Sequence, residues 1–219
     1  MSNVMLAEER QSVVDLAQRM VRDRLVVGTS GNISRRVGDH VLLTPSGTDY
    51  DTMTAEDIVV VTLDGDRVDG RLNPTVEMPL HLMCYARHDA KAVVHTHSTA
   101  ATALSLLQDE VPPVHYQLAM FGGSVAVAPY ATYGTEALVN NVSNALSEST
   151  GAVMKHHGTI CIGENLQKAY DRARQLEWLC DVWLRARSVG EPALLPADEM
   201  ERVVAGFLSY GKQPTGTQA

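Results

Sequence analysis

Long apolar runs, basic clusters and aromatic side chains are all scarce in this sequence of 219 residues. Apolar runs such as Ala92–Val94 and Val125–Ala128 are far shorter than the roughly 18 residues that a membrane-spanning helix needs. The chain opens with Glu8 and Glu9 where a secretory leader would be basic and then apolar, so we expect a cytoplasmic protein. Hydrophobic residues nevertheless make up 45% of the chain and charged residues 20%, which excludes a disordered chain and predicts a buried core.

The charge balance excludes several classes of partner. Acidic residues outnumber basic ones by 26 to 18, the net charge is −8, and no basic run occurs. Nucleic acids and anionic membranes are therefore not expected as partners, because their binding depends on clustered Lys and Arg. A small anionic substrate is compatible with this charge, since a pocket can be locally positive in an acidic protein.

Cysteine and lysine are also rare, which limits the covalent chemistry open to the chain. The cysteines are odd in number, lack metal-type spacing and lie in apolar contexts, so we expect buried free thiols in a reducing compartment at Cys84, Cys161 and Cys180. Lys155 lies beside a histidine but in polar surroundings, which makes Schiff-base catalysis the weaker option. The nucleophile motif of the common serine hydrolases is absent.

Neither a repeat, a low-complexity tract nor a linker divides the sequence, so we predict one domain over residues 1–219 with a flexible tail at 212–219. Periodicity and turn signals predict helices over residues 3–25, 77–87, 98–107, 134–146, 166–187 and 197–210. The predicted strands span residues 33–35, 41–44, 58–63, 67–68, 92–96, 124–128, 153–157 and 159–162. Because hairpins accompany the alternation of helix and strand, we expect an α/β protein of the α+β type, with a mixed, mostly antiparallel sheet flanked by helices.

The sharpest chemical signal is a pair of histidines at the end of a predicted strand, His95 and His97. Side chains at positions i and i+2 of a strand point to the same face, so both imidazoles can approach one metal ion. A second predicted strand ends in His156 and His157, of which one can face the same metal, and Glu77 supplies a carboxylate at the start of a predicted helix. Three imidazoles with a carboxylate or water suit a divalent metal ion of the zinc type.

Each histidine motif is weak by itself. Eight histidines in a chain of this length give about 0.3 pairs of the His-x-His type by chance, and polar histidines at a strand end are a common alternative. The coincidence of two such motifs at strand ends favours a metal site. The remaining histidines are interpreted as surface or capping residues: His40, His81, His88 and His115.

Two glycine-containing loops are suited to an anion, Gly28–Asn32 and Thr44–Gly47. Loops of this kind can direct backbone N–H groups, hydroxyls and amides at a phosphate without Lys or Arg. Neither loop fits the pattern of a nucleotide-binding P-loop, and either could be a plain connection.

Five ordered motifs resemble those of the class II aldolase/adducin family: Gly28–Asn32, Thr44–Gly47, Pro74–Glu77, His95–His97 and His156–Gly158. The resemblance covers nearly the whole chain, with further matches at His115–Tyr116, Ala128–Thr132 and Ser209–Gly211. It implies the class II aldolase fold and a zinc-dependent lyase of carbohydrate metabolism. Such an enzyme reversibly cleaves a short ketose 1-phosphate, such as L-fuculose 1-phosphate, into dihydroxyacetone phosphate and a small aldehyde, through an enediolate that the metal stabilises.

The resemblance also implies a role for each motif residue. One zinc ion per subunit is held by His95, His97 and His157 with Glu77 as the fourth ligand, and the Glu77 carboxylate, once displaced by substrate, acts as general acid/base. The substrate phosphate is bound at the positions of Gly31, Asn32, Ser46, Gly47, Thr75 and Val76.

Two tyrosines are implied in catalysis by the same resemblance. Tyr116 reaches in from a neighbouring subunit and protonates the aldehyde-side oxygen, and Tyr210 lies on a C-terminal tail that helps to close the site. The active sites are then expected at the subunit interfaces of a homotetramer with fourfold cyclic symmetry.

Several related functions stay open because the sequence departs from the sugar-phosphate members of the family. Thr75-Val76 replaces a usual Ser-Ser pair, Met78 stands where an aromatic is frequent, and Val76 offers no hydrogen bond to a phosphate, so a carboxylate handle is an alternative. Sugar-acid phosphate decarboxylases, dehydratases and 4-epimerases are further alternatives, although epimerases typically carry aspartate at the position of Glu77. A non-catalytic adducin-like module and a non-haem iron oxygenase are disfavoured, by the complete ligand set and by the third histidine respectively.

Overall fold

The computed structural model describes residues 5–207, which form one continuous sheet with helices on both sides. The helices are α1 (Ala7–Arg22), α2 (Met78–Arg87), α3 (Thr99–Ser105), α4 (Glu136–Ala145), α5 (Leu166–Arg187) and α6 (Ala197–Phe207). The strands are β1 (Asn32–Val37), β2 (His40–Leu43), β3 (Val59–Thr62), β4 (Arg67–Asp69), β5 (Ala92–Thr96), β6 (Val127–Ala128), β7 (Gly151–Met154) and β8 (Gly158–Gly163). Short 3-10 helices lie at Ala55–Asp57 and Tyr116–Phe121.

The strand order in the sheet is β4-β3-β2-β1-β5-β8-β7-β6. Every neighbouring pair is antiparallel except β6 and β7, which are parallel. The predicted mixed, mostly antiparallel sheet is therefore present. Its centre is formed by β1, β5 and β8, so the strand that carries the first histidine motif is paired on both edges.

Both faces of the sheet are buried, and successive strand residues alternate between two cores. Val60 packs into the core that includes residues of α1, α3 and α5, whereas its neighbours Val59 and Val61 pack into the core beneath α2 and α4. This two-sided burial explains why the strands are apolar at successive positions instead of alternating between apolar and polar. Within residues 5–207, no helix has the length and apolar character needed to cross a membrane.

The second histidine motif lies in a turn, and the strand predicted over residues 153–157 was wrong at its end. β7 ends at Met154, and the chain reverses through His156, whose φ is 59°, before β8 begins at Gly158. A tight connection between two antiparallel strands requires a residue in the left-handed region, and this demand overrides the strand pattern of the sequence.

Gly158 is required by the close approach of two backbones, so we expect Gly158→Ala to be strongly destabilising. A Cβ atom at this position would lie 1.9 Å from the carbonyl oxygen of Thr96, immediately before His97. The strands must then move apart, and we expect a loss of more than about 3 kcal/mol in the free energy of unfolding, measured by denaturant titration. Gly190→Ala is the matched control, because a Cβ there meets nothing within 4 Å. Equal unfolding midpoints for the two variants would contradict the backbone contact.

Candidate active site

Four potential metal ligands converge at one end of the central strands. His95 lies on β5, His97 follows that strand, His157 lies in the turn between β7 and β8, and Glu77 directly precedes α2. Their ligating atoms all lie within 4.8 Å of one another. The Nε2 atoms of His95 and His97 are 2.9 Å apart. Glu77 Oε2 is 3.1 Å from His95 Nε2, and Glu77 Oε1 is 3.2 Å from His157 Nε2.

Glu77 is placed by a loop that is tied to the end of β2. Pro74 forms an isolated β-bridge with Pro45, and the Ser46 N–H donates to the carbonyl of Asn73 at 2.9 Å. The Thr75 hydroxyl then accepts the Glu77 N–H at 3.2 Å. These bonds fix the backbone that leads into Glu77 and so place its side chain beside the histidine cluster.

The electrostatics of the cluster couple one carboxylate to one imidazole. Burial alone would raise the pKa of Glu77, but the charge of His95, the close approach of the His157 and His95 rings and the hydrogen bond from Asn32 hold it well below its ordinary value. Burial alone would lower the pKa of His95, but the Glu77 carboxylate and the Thr159 carbonyl raise it. Burial and the two neighbouring imidazoles lower the pKa of His97 to about 3. A cation entering the cluster therefore competes with a proton on His95.

The donor set fits a divalent metal ion. Within residues 5–207, Glu77 Oε1 is one of the buried side-chain atoms that have no hydrogen-bond partner, and it faces His157 across the cluster. His95 Nδ1 lies 2.7 Å from the carbonyl oxygen of Thr159, an arrangement that holds the ring and leaves Nε2 toward the centre. Three imidazole nitrogens and one carboxylate oxygen are a donor set that zinc accepts.

A cavity of about 340 Å³ opens onto this cluster, with Glu77, His97 and His157 in its lining. The structure brings all six residues predicted to bind an anion into the same lining: Gly31, Asn32, Ser46, Gly47, Thr75 and Val76. Among residues 5–207, no Lys or Arg lines this cavity, so hydroxyls, amides and backbone groups are the donors that this part of the chain offers an anion there.

The two loop glycines adopt backbone conformations that other residues rarely take. Gly31 has a φ of +70°, and a Cβ there would lie 2.8 Å from the carbonyl oxygen of His95. Gly47 has a φ of +66° and open space around it. Gly31 therefore allows the first loop to pass directly over the metal-ligand strand, and Gly47 allows the second loop to turn at the cavity rim.

Tyr116, one of the two predicted tyrosines, does not line this cavity. Tyr116 lies on the 3-10 helix, is 48% exposed, and packs against the His115 ring at 4.6 Å between centroids. Tyr210, like the predicted tail at 212–219, lies outside the described residues. A short 3-10 helix has too few residues to show a periodic pattern, so no element is predicted from the sequence at residues 116–121.

Two residues of the cavity rim were not predicted from the sequence, Tyr130 and Tyr133, and the rim also contains His156, which was one of the two candidates for the third imidazole. Both tyrosines are largely exposed, and the Tyr130 ring lies 5.8 Å from the His156 ring. The matching segment Ala128–Thr132 was the available signal, since exposed aromatic residues in a loop indicate a binding surface more strongly than buried ones.

The interpretation of His81 as a surface or capping residue was wrong. His81 lies on α2, is fully buried, and contacts Asn32 and Ser34 of β1 through its two ring nitrogens. Burial lowers the pKa of His81 to about 3, so the ring is neutral. By contrast, His115 does cap an element, because its Nδ1 accepts the Gln117 N–H at the start of the 3-10 helix.

The sequence model of one protein family, the class II aldolase and adducin N-terminal domain, matches residues 11–184, which is most of the chain. The chain belongs to the class II aldolase and adducin family. The resemblance read from the motifs is thereby confirmed, and the protein is a lyase of the aldolase type. Its histidine–glutamate cluster is the place in this family member where a metal ion could bind.

Named relatives cover nearly the full length of this class II aldolase. The 5-deoxy-D-ribulose 1-phosphate aldolase of Bacillus thuringiensis is 36% identical over 96% of this chain and 100% of its own. The L-fuculose phosphate aldolase of Escherichia coli is 37% identical over 92% of this chain and 94% of its own. A solved structure of an L-fuculose 1-phosphate aldolase superposes with a TM-score of 0.89 at 33% identity, over 95% of this chain and all of that one, which confirms the fold class.

Proposed function

We propose that this protein is a zinc-dependent aldolase that reversibly cleaves a short ketose 1-phosphate into dihydroxyacetone phosphate and a small aldehyde. The supporting observation is the juxtaposition of the histidine–glutamate cluster with two anion-suited loops in one cavity. The names of the relatives favour L-fuculose 1-phosphate or a 5-deoxypentulose 1-phosphate as the substrate class. Both contain the same phosphorylated three-carbon unit, and they differ in the aldehyde that is released.

The residues of the cavity divide the chemistry between binding and proton transfer. A divalent metal ion bound by the cluster supplies Lewis-acid stabilisation of the negative charge that develops on the substrate oxygens. The loops at Gly31 and Gly47 orient the phosphate through N–H and hydroxyl donors. The bond between the third and fourth substrate carbons breaks, and Glu77, displaced by substrate and protonated from solvent, delivers that proton to the third carbon and returns to the carboxylate form.

The second proton in this proposal is handled by Tyr116 of a neighbouring subunit. In the cleavage direction the Tyr116 oxygen takes the proton from the hydroxyl on the fourth carbon as its own phenolic proton passes to solvent, and in the synthetic direction both transfers are reversed. The support is that Tyr116 is exposed and does not line its own cavity, which leaves its hydroxyl available to another subunit. A homotetramer with active sites at its interfaces, closed by Tyr210, is part of this proposal.

Epimerase, decarboxylase and dehydratase activities use similar sites, and product analysis separates them. The experiment is metal analysis of the purified protein, followed by a retro-aldol screen of phosphorylated and unphosphorylated ketoses with coupled detection of dihydroxyacetone phosphate. We expect bound zinc, and cleavage that a chelator abolishes and zinc restores. Inversion at the fourth carbon, carbon dioxide release or water loss without cleavage would replace the aldolase proposal, and a protein that binds no metal would favour the structural module.

Val76 offers a phosphate no hydrogen bond, so we expect the variant Val76→Ser to bind a phosphorylated substrate more tightly than the parent protein does. The side chain is 59% exposed in the cavity lining and offers no donor, whereas a serine hydroxyl could donate to a phosphate oxygen. A hydrogen bond to a charged group contributes about 1.5–3 kcal/mol, and partial exposure places the effect at the low end, which is about tenfold in KM.

The comparison requires a substrate pair and a size control. KM for the phosphorylated ketose should fall in Val76→Ser and stay unchanged in Val76→Ala, while KM for the unphosphorylated ketose should change in neither. An equal improvement for both substrates would show that the position does not contact the phosphate.

A further inference from the structure

A continuous chain of buried hydrogen bonds runs behind the active site between α2 and β1. Tyr85 Oη lies 2.6 Å from Ser34 Oγ, which lies 2.6 Å from His81 Nδ1. His81 Nε2 lies 2.5 Å from Asn32 Oδ1, and Asn32 Nδ2 donates to Glu77 Oε2 at 2.9 Å. The four side chains beyond Glu77 are each no more than 5% exposed. We refer to Tyr85, Ser34, His81 and Asn32 as the relay.

The relay arises because the repeats of the helix and the strand match. Glu77, His81 and Tyr85 are spaced four residues apart, which is about 6.0 Å along a helix axis. Asn32 and Ser34 are two residues apart on one face of β1, which is about 6.6 Å along a strand. Side chains from α2 and β1 therefore alternate along the chain of hydrogen bonds, and each contacts the next one from the other element. Polar side chains occupy positions here that are apolar in the rest of the core. Their burial is tolerated because every member of the network has a hydrogen-bond partner.

The direction of every bond in the relay follows from the carboxylate. An ionised carboxylate only accepts hydrogen bonds, so the Asn32 amide must present its NH₂ group to Glu77. Its carbonyl oxygen then faces His81, and the bond between them requires a proton on His81 Nε2. A neutral imidazole carries one proton, so His81 Nδ1 must accept.

The remaining two bonds are fixed by the same argument. Ser34 must donate its single hydroxyl proton to His81 Nδ1, and its oxygen must therefore accept from Tyr85. Burial raises the pKa of Tyr85, which keeps this donor protonated. Each member of the relay thus donates toward Glu77, and reversing any one bond would leave two donors or two acceptors facing each other.

We propose that the relay is a positioning device that fixes the Asn32 amide, and through it holds Glu77 Oε2 so that Oε1 is presented to the cation. His81 and Ser34 are positioning residues, since neither lies in the cavity lining. The inference rests on the proposed function in that the cluster of Glu77 and the three histidines binds a metal ion. Without the relay, the Asn32 amide can rotate and turn its oxygen against the carboxylate, which displaces Glu77 from the geometry that the cation needs.

The test measures zinc affinity of the metal-free protein by competition with a chelator, which does not depend on catalysis. His81→Leu removes both ring nitrogens at similar volume, and we expect affinity to fall about 10–100-fold, as for other residues that orient metal ligands. His81→Gln keeps a donor near the Nε2 position and should stay within about threefold of the parent protein. Cys84→Ala, a buried position on the same helix outside the relay, lowers stability without changing zinc affinity.

Two further measurements keep the inference falsifiable if His81→Leu does not fold. Ser34→Ala is a smaller change, and it should also lower zinc affinity because His81 can then reverse its tautomer and turn the Asn32 amide. Nitrogen NMR of the parent protein at neutral pH should show His81 protonated at Nε2 and unprotonated at Nδ1.

The inference is overturned if folded His81→Leu and Ser34→Ala bind zinc like the parent protein, if the Gln and Leu variants lose affinity equally, or if His81 carries its proton on Nδ1. Its failure is distinguishable from that of the proposed function. A protein that shows the affinity pattern but cleaves no ketose has the relay and another reaction. If the protein cleaves ketoses but the relay variants keep the zinc affinity of the parent protein, it is an aldolase in which the relay does not position Glu77.

Discussion

Glu77→Gln is expected to lower kcat for retro-aldol cleavage by about 10²–10⁴-fold while the protein stays folded, because it removes the carboxylate assigned to proton transfer. The carboxamide has nearly the same shape, and its oxygen can still accept the Asn32 amide at the position of Oε2. The NH₂ group then replaces Oε1, so the side chain has no basic oxygen directed at the substrate. The measurement is steady-state cleavage on protein reloaded to equal metal content, with the unfolding midpoint recorded alongside.

Glu164→Gln is the matched control for this variant, since Glu164 is paired with Arg172 at 3.1 Å and lies outside the cavity lining. It removes the same charge and should leave kcat within about twofold, as surface substitutions usually do. Undiminished turnover in Glu77→Gln at full metal occupancy would refute the assignment of Glu77 as the acid/base, and the proton would then have to come from another group of the cavity.

His157→Ala is expected to lower zinc affinity by more than about 100-fold, because a direct ligand contributes more than a residue that only orients a ligand. The cleavage rate should fall with the zinc content. The substitution removes one of three imidazoles and leaves Glu77 Oε1 without its 3.2 Å neighbour. His95→Ala should have a similar effect, because the His95 ring is held by the Thr159 carbonyl at Nδ1 and faces Glu77 with Nε2. Metal content after dialysis against a weak chelator is the measurement.

The adjacent histidine provides an unusually close control. His156 is next in the chain, is exposed, and does not belong to the group of four ligating atoms. His156→Ala should therefore keep its zinc under the same dialysis. If both variants lost zinc equally, the loss would come from disturbing the turn between β7 and β8, and the assignment of His157 as a ligand would fail.

The elements that the sequence predicted best are those with strong local patterns. The strand at Ala92–Thr96 and the helix at Leu166–Arg187 were predicted to the residue, since one is a short apolar run and the other a long amphipathic repeat. The spacing of His95 and His97 likewise predicted two imidazoles on one side of β5. Such features depend on residues a few positions apart, which a sequence displays directly.

The features that were predicted wrongly or missed depend on residues far apart in the chain. His81 was given a surface role because its partner Asn32 is 49 positions away, and helical spacing alone does not reveal which strand lies beneath a helix. Tyr130 and Tyr133 join the cavity rim through the path of one loop past the histidine turn. The strand end at Met154 was set by the reversal at His156, whose positive φ is imposed by the neighbouring strand.

The sequence by itself determined the sheet-and-helix architecture, the acidic charge and the set of residue types able to hold a divalent cation. The tertiary structure alone decided that Glu77 reaches His95 and His157, and that a helix and a strand interleave polar side chains behind it. The physical reason is that local patterns follow from the period of one backbone, whereas a site depends on the register between backbones, which packing of the whole chain sets.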